Sequence, residues 1–379
     1  MQHTEFVALT KRLLDHVEGG TTDQLDDVLR VPVDHYRDPE RWRREVDEIF
    51  RKVPLLYSLS CELTEPGSFL AKTLLDTPIV AVRGDDGRVR AFVNACVHRG
   101  ATVVTEEEGR AKRLTCPYHA WTFDHRGTLV GIAGRETFGE VDPDLGLTEL
   151  PCEERAGMVF VSLTPSDEPM AIDDWLAGVD TTVFEPFGME EWHLFSRREL
   201  VGANWKVAYD GYLEGYHFAS LHRTTIFTSV MSNVMAYDAY GPHQRIAFAR
   251  HGIEKLRDVP EEQWGDWDGL SLITVLFPNV SFAFGSEGCL VSQLLPGPTP
   301  DRSRTIQSYY RCRPIDTDDE RGRAQAESDR YFEVVRDEDY STGLGIQAGL
   351  ATDANREFVF GRNEVGPQRF HRALAALLD

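Results

Sequence analysis

Two short segments constrain this chain more than any other feature: Cys96-Val97-His98 and Cys116-Pro117-Tyr118-His119, with 17 residues between His98 and Cys116. Each offers one thiol and one imidazole within four residues, beside turn formers such as Gly100 and Pro117, at the end of a run that reads as a β-strand. Two such loops closing on each other supply the four ligands a metal centre needs. The residues allow three readings. The pairs stand together by chance, as buried cysteines beside exposed histidines. They hold a structural zinc, which accepts both ligand types. Or they hold a [2Fe–2S] centre in which one iron takes both thiolates and the other both imidazoles. Zinc fingers favour a cysteine pair followed by a histidine pair, whereas a cluster divided by ligand type draws one of each from each loop. Cys61, Cys152, Cys289 and Cys312 are isolated and read as small buried hydrophobes, not as a disulfide scaffold.

A chain of 379 residues exceeds what one core serves, about 250–300 residues, so two or three domains are expected. Lys and Arg number 40 against 62 Asp and Glu, a net charge of −22, which excludes nucleic acid and anionic membrane surfaces as partners. The longest apolar run, Leu272 to Phe277, is far shorter than the ~20 residues of a membrane span. Glu5, Lys11, Arg12 and Asp15 interrupt any secretory apolar region, so a soluble, cytoplasmic protein is expected. Phe6, Leu9, Leu13, Leu14 and Val17 predict a first helix, ended by Gly19-Gly20, and a second is predicted over Pro39–Lys52. From Val53 the period becomes two, with strands at Leu55–Leu59, Phe69–Leu75, Ile79–Arg83 and Val89–Asn94. Pro165–Asp180 is a polar junction. Beyond it a helix is predicted over Trp205–Phe218, strands at Ser271–Val275, Val280–Phe284, Leu290–Leu295 and Arg304–Arg311, and helices over Thr317–Leu350 and Pro367–Leu378. The pattern is an α+β chain: an N-terminal helix and linker (1–38), an antiparallel β domain (39–165), then a mixed domain (166–379).

That last domain holds a second group of ligand-type residues. On an ideal helix Glu214 and His217 are i,i+3 neighbours, but His217 and His222 lie about 140° apart and meet one metal only if the helix bends or ends. Read blandly, one histidine is a core group and the other a surface residue. Read with a redox cluster upstream, two imidazoles and one carboxylate form the facial triad of non-haem Fe(II) oxygenases. The carboxylate must come from far along the chain, with Asp337, Glu338, Asp339 and Asp353 as candidates.

The segments Cys96-Val97-His98-Arg99-Gly100 and Cys116-Pro117-Tyr118-His119-Ala120-Trp121 resemble the two halves of the Rieske motif. The run Pro78 to Cys96 is similar to Rieske domains of the aromatic-ring-hydroxylating oxygenases, and Asn204-Trp205-Lys206 through His222 resembles the mononuclear-iron motif of Rieske non-haem iron oxygenases. The resemblance runs from about Pro39 to Phe370. It implies a Rieske [2Fe–2S] domain, with Cys96 and Cys116 on one iron and His98 and His119 on the other, and after it a helix-grip (START/Bet v1-like) catalytic domain. It implies His217 and His222 as ligands of a mononuclear Fe(II). The family's Glu-Asp pair before a Gln-x-Gly-Leu segment points to Asp339 as the third ligand, since Glu338-Asp339 precedes Gln347-Ala348-Gly349-Leu350. Glu214 would be the inter-subunit electron bridge, joining His217 to His119 of an adjacent copy. Many ring-hydroxylating members carry Asp there, and Glu looks more like members that demethylate quaternary amines.

The resemblance implies a terminal oxygenase α subunit that activates O₂ and hydroxylates a small aromatic or apolar substrate, as a mono- or dioxygenase of aromatic hydrocarbon catabolism. The alternative is oxidative demethylation of a quaternary amine or ether. A reading of another class is a non-enzymatic, metal-binding electron carrier. The resemblance also implies a homotrimer, with or without a β subunit. Electrons would come from NAD(P)H through a separate reductase, with or without a ferredoxin. Arg99, Arg110, Lys112, Arg113 and Arg126 form a candidate docking patch for that donor.

Overall fold

The computed structural model describes residues 2–378, and its contacts divide the chain into two compact units. One comprises Phe50–Trp175 with Gly188–Glu190; the other gathers the chain up to Ile49, Leu176–Phe187 and the chain from Glu191 on. Residues 39–49 belong to the second unit because Glu45, fully buried, accepts from the Trp205 indole N–H at 2.9 Å and pairs with the Lys206 ammonium. Asp38 caps the helix Pro39–Arg44 by accepting from Glu40 N, with Pro39 at its first turn.

The first unit is antiparallel β throughout. A five-stranded sheet runs in the order Glu149–Leu150, Val89–Val93, Thr77–Arg83, Ser68–Leu74, Glu108–Arg110. Cys152–Arg155, Met158–Val161 and Leu55–Leu59 form a second sheet, and Leu114–Thr115, Thr122–Phe123 and Leu129–Gly131 a third. The strands expected from alternation are present, with ends shifted by a residue or two. The turn at Gly84–Gly87 closes because Gly87 adopts φ +79° and the Asp86 carboxylate accepts from Arg88 N at 3.2 Å. The core of this unit packs Phe69, Val80, Val82, Phe92, Trp121 and Phe123 around Cys96 and Cys116.

The second unit is built on a seven-stranded antiparallel sheet, in the order His193–Gly202, Ser303–Arg311, Gly288–Pro296, Val280–Phe284, Leu270–Leu276, His243–Arg250, Val230–Tyr240. Alternation assigns its two faces. Ile246 and Phe248 pack with Phe218 and Val365, whereas Arg245 beside them turns the other way to Glu5 of the helix His3–Gly19. The segment around Phe218, which carries the candidate ligands, therefore lies on one face and the first helix on the other. On the ligand side, Asp318–Leu350 is continuously helical, with a Thr317/Glu320 capping box and a π-helical stretch at Val335–Tyr340. Leu29–Pro32 pairs with Glu357–Phe360 as a separate two-stranded ribbon. Among the described residues no helix is long and apolar enough to cross a membrane.

One expected element differs. The helix predicted over Trp205–Phe218 spans only Trp205–Asp210, with Asn204 as its cap. Gly211 and Gly215 come next, and the chain continues in turns closed by Tyr212 N to Tyr209 O and Leu221 N to His217 O. Apolar periodicity over 205–218 reflects burial of a turn-rich segment, not a continued helix.

Candidate metal centres

The two loops of the first unit are built alike. In one, Cys96 N donates to Ala101 O at 2.8 Å and Gly100 N to Cys96 O at 2.7 Å; in the other, Cys116 N donates to Trp121 O at 2.8 Å and Ala120 N to Cys116 O at 3.0 Å. Each closes through a left-handed residue, Gly100 at φ +74° and Ala120 at φ +55°. Buried Asn94 ties the first loop down, accepting from Val103 N and Val104 N and donating to Val104 O at 2.8 Å. The result brings Cys96 and Cys116, 3% and 2% exposed, to one side of the site. The imidazoles of His98 and His119 come to the other, ring centroids 4.7 Å apart. Trp121 stacks on His98 and Tyr118 tilts against His119.

The chemistry of these four groups fits a two-iron cluster. Burial pushes the Cys96 thiol up, and the facing Cys116 thiol adds to the effect, so a bound cation would stabilise thiolates there. Desolvation, with His98 and Arg99 beside it, holds His119 below its ordinary value and keeps its ring neutral, the form that ligates. The arginines of the candidate docking patch are partly committed: Arg110 pairs with Glu65 at 2.5 Å.

In the second unit, His217, His222 and Asp339 offer ligand atoms that all lie within 4.8 Å of one another. The His217 and His222 Nε2 atoms are 3.1 Å apart, and Asp339 Oδ1 lies 3.1 Å from the latter and 3.6 Å from the former. The Nδ1–H of His217 donates to Glu214, which also accepts from the backbone N–H of Tyr216 and His217. The Nδ1–H of His222 donates to Glu338 at 2.5 Å, and Thr225 O–H donates to the same carboxylate at 2.8 Å. A carboxylate on each Nδ1 fixes the tautomer that leaves both Nε2 lone pairs free for a metal, and raises their basicity. Burial alone would push His222 down; Asp339 and Glu338 outweigh it and hold the ring above its ordinary value.

Of the four acidic candidates for a third ligand, only Asp339 faces both imidazoles. Glu338 takes the opposite edge of the His222 ring, Asp337 pairs with Arg336 at 2.6 Å, and Asp353 pairs with Arg37 at 2.5 Å. The orienting role of Glu338 is not among the sequence expectations; its one signal there is adjacency to a candidate ligand. The π-helical stretch helps adjacent residues of one helix meet the same imidazole. Asn204, Trp205 and Lys206, read only as a motif opening, are structural. All three are buried, and Asn204 donates to Tyr36 O and Pro300 O at 2.7 Å.

A cavity of about 670 Å³ reaches His217 and Asp339. Val207, Leu221, Ile346 and Phe358 give it apolar walls, and Asp210, Glu214, Glu357 and Glu364 add carboxylates. Among the described residues that line it there is no lysine or arginine. Burial pushes Glu364 up to about 7, and neighbouring Glu214 and Asp210 add to the shift. Phe248, Phe282 and Phe284 do not line this cavity: Phe248 packs with Met235 beside Phe218, and Phe282 and Phe284 pack with Phe184 on the other face of the sheet.

Residues 189–379 match the family described as ring hydroxylating alpha subunit (catalytic domain), and residues 54–142 match the Rieske [2Fe-2S] domain. The glycine betaine monooxygenase oxygenase subunit of Chromohalobacter salexigens is 34% identical over 241 residues, 61% of this chain and 52% of that one. The 2-aminobenzenesulfonate 2,3-dioxygenase subunit alpha of an Alcaligenes species is 31% identical over 312 residues, 76% of this chain and 75% of that one. The chain thus spans about half the length of the betaine relative it matches. In fold it is similar to the quaternary ammonium Rieske monooxygenase CntA in complex with L-carnitine, with a TM-score of 0.79 over 93% of this chain and 97% of that one, at 23% identity.

Proposed function

The chain belongs to the ring-hydroxylating alpha-subunit family of Rieske oxygenases, and on that premise we propose that it oxidises a small quaternary ammonium compound at a carbon bound to nitrogen. Hydroxylation of an aromatic or apolar substrate gives way to this alternative. The observation that carries the choice is the cavity beside His217 and Asp339, lined by carboxylates and by no lysine or arginine among the described residues. A cation is favoured there and an aromatic acid is repelled. The similarity to a glycine betaine monooxygenase subunit points the same way.

In this reading Cys96, Cys116, His98 and His119 hold the [2Fe–2S] cluster, and His217, His222 and Asp339 hold the mononuclear iron. When bound, the two groups supply stored electrons and O₂ activation. The chain's own residues do the rest. Glu214 and Glu338 hold the Nδ1 protons of His217 and His222 and aim both rings. Tyr212, pushed up to about 12 by burial, keeps its phenolic proton near Asp339. The apolar walls keep water from the reacting carbon. Overall, one oxygen atom enters a C–H bond next to nitrogen. The other leaves as water with two electrons and two protons; the hydroxyl then gives up its proton, the C–N bond breaks with its electron pair going to nitrogen, and a carbonyl compound separates from a neutral tertiary amine.

We propose that by function the chain divides into a linker region (1–38), an electron-relay domain that the sequence bounds at 39–165 and a catalytic domain (166–379), with residues 39–49 packed in the catalytic unit. Electrons arrive from NAD(P)H through a separate reductase, with or without a ferredoxin, and pass between copies of a homotrimer through Glu214. Exposed Tyr118 beside His119 and exposed Tyr216 beside His217 support such contacts, because each leaves apolar surface next to a metal ligand. The test is O₂ consumption by the iron-loaded protein with a surrogate reductase. Glycine betaine or L-carnitine should drive consumption with release of a carbonyl product, and consumption driven by aromatic acids alone would reverse the choice.

A further inference from the structure

We propose that Asp210 is the residue by which the large cavity selects its substrate, a carboxylate fixed by Tyr36 and His371 that holds a methylated ammonium group. The inference rests on the proposed function and narrows it to one side chain. Three separate elements bring the group together. Asp210 closes the helix Trp205–Asp210, Tyr36 lies in the short helix Asp34–Arg37, and His371 comes from the helix Val365–Leu378. Asp210 accepts from the Tyr36 O–H at 2.8 Å and from His371 Nε2 at 2.9 Å. A carboxylate can only accept, so His371 carries a proton on that nitrogen. Tyr36 and His371 are buried, whereas the Asp210 side chain keeps 15% exposure and lines the cavity. Burial, with the Asp210 charge beside it, pushes the Tyr36 phenol well above its ordinary value, so Tyr36 stays a donor.

The other three carboxylates of the outer wall are committed elsewhere. Glu214 takes the Nδ1–H of His217 and two backbone N–H groups. Glu357 pairs with Arg30 at 3.3 Å across the two-stranded ribbon. Glu364 accepts from Gly361 N at 2.5 Å; burial, with Glu214 and Asp210 near it, raises it to about 7, so it sheds repulsion by taking up a proton near neutral pH. Asp210 is thus the carboxylate of the four that is held in place by an O–H and an N–H, and no lysine or arginine among the described lining residues answers its charge. A partly buried carboxylate met only by hydrogen bonds is costly to keep, and a cation entering the cavity offsets that cost. Its two donors also fill half of the roughly four lone-pair positions of the group, which leaves a primary amine few places for its N–H groups. A methylated ammonium has no N–H to place and is attracted by the charge alone. Val207 and Phe358 on the same walls suit its methyl groups.

The experiment is calorimetric titration of the full chain, both metal centres loaded and oxygen excluded, with tetramethylammonium chloride. Methylammonium chloride serves as a cation that keeps its N–H groups, and tert-butanol as a neutral counterpart. The wild type should bind tetramethylammonium most tightly of the three. Asp210→Asn should weaken tetramethylammonium by roughly tenfold or more, the scale of one partly screened charge pair, and leave tert-butanol unchanged. Glu357→Gln takes the same charge from the same cavity and should weaken it by less than about twofold. Tyr36→Phe removes one fixing hydrogen bond without changing charge and should weaken the cation by about threefold, which keeps the test decisive if Asp210→Asn folds poorly. Equal losses in Asp210→Asn and Glu357→Gln would assign selectivity to the field of the whole cavity and overturn the role of Asp210, with the proposed function left standing. Cation affinity unchanged in Asp210→Asn or in Tyr36→Phe, or methylammonium binding as tightly as tetramethylammonium, overturns it as well. A wild type that binds tert-butanol as tightly as the cation removes the cation reading of the cavity and the role of Asp210 with it.

Discussion

The two candidate metal centres each bring a pair of imidazoles together, and they do so in opposite ways. The loops of Cys96–His98 and Cys116–His119 lie close together in the chain, and each is closed by two backbone hydrogen bonds of its own. The His217–His222–Asp339 group draws its carboxylate from a distant helix, and each imidazole needs a carboxylate behind it to aim its Nε2. A locally closed site takes its geometry from the backbone; an assembled site takes it from side-chain hydrogen bonds and inherits their sensitivity.

The difference can be broken or sharpened by substitution. Cys116→Ser should abolish the visible absorption of the cluster while iron at the mononuclear site is retained; loss of both irons together would show that the centres are not independent. Glu214→Gln should lower turnover by about 100-fold, toward the upper end of what such orienting carboxylates contribute, with both centres fully loaded. Turnover that survives this change removes Glu214 from the electron path. Glu338→Gln should weaken mononuclear iron binding by about tenfold, read by metal titration, and leave the cluster spectrum unaltered.

The smallest effect concerns the carboxylates of the large cavity. Glu364 titrates near 7 in the folded chain against 4.5 as its ordinary value, so the folded state holds a proton the unfolded state has lost. Its contribution to stability is therefore present below about pH 4.5 and falls as pH rises through 7. Glu364→Gln should stabilise the protein by about 1 kcal/mol at pH 8, after discounting for partial solvent exposure, and by nothing near pH 4. Denaturant midpoints at the two pH values check this. A gain equal at both would mean that burial and the neighbouring carboxylates do not hold the Glu364 carboxyl above its ordinary value.

Much of this architecture is legible in the sequence. Alternation and turn clusters bound Leu55–Leu59 and Val280–Phe284 to the residue. Val230–Tyr240 escapes the same reading, since it carries a register irregularity between Val230 and Met235 that breaks alternation. The 205–218 segment misleads because burial imposes helical spacing on turns. Glu338 draws no notice because adjacent acidic residues on a helix usually share a solvated face.

The sequence by itself determined the character of both units, and its resemblance to a family singled out the two cluster loops and the two imidazoles of the second candidate centre, because these signals lie close together in the chain; spacing alone left them with more than one reading. Asp339 is pointed to by the resemblance, but only the tertiary structure shows it facing both rings, and tertiary structure alone decided that Glu338 stands behind one of them. It also decided that carboxylates line the neighbouring cavity. Those arrangements arise where distant segments pack, and separation along a chain carries no record of direction in space.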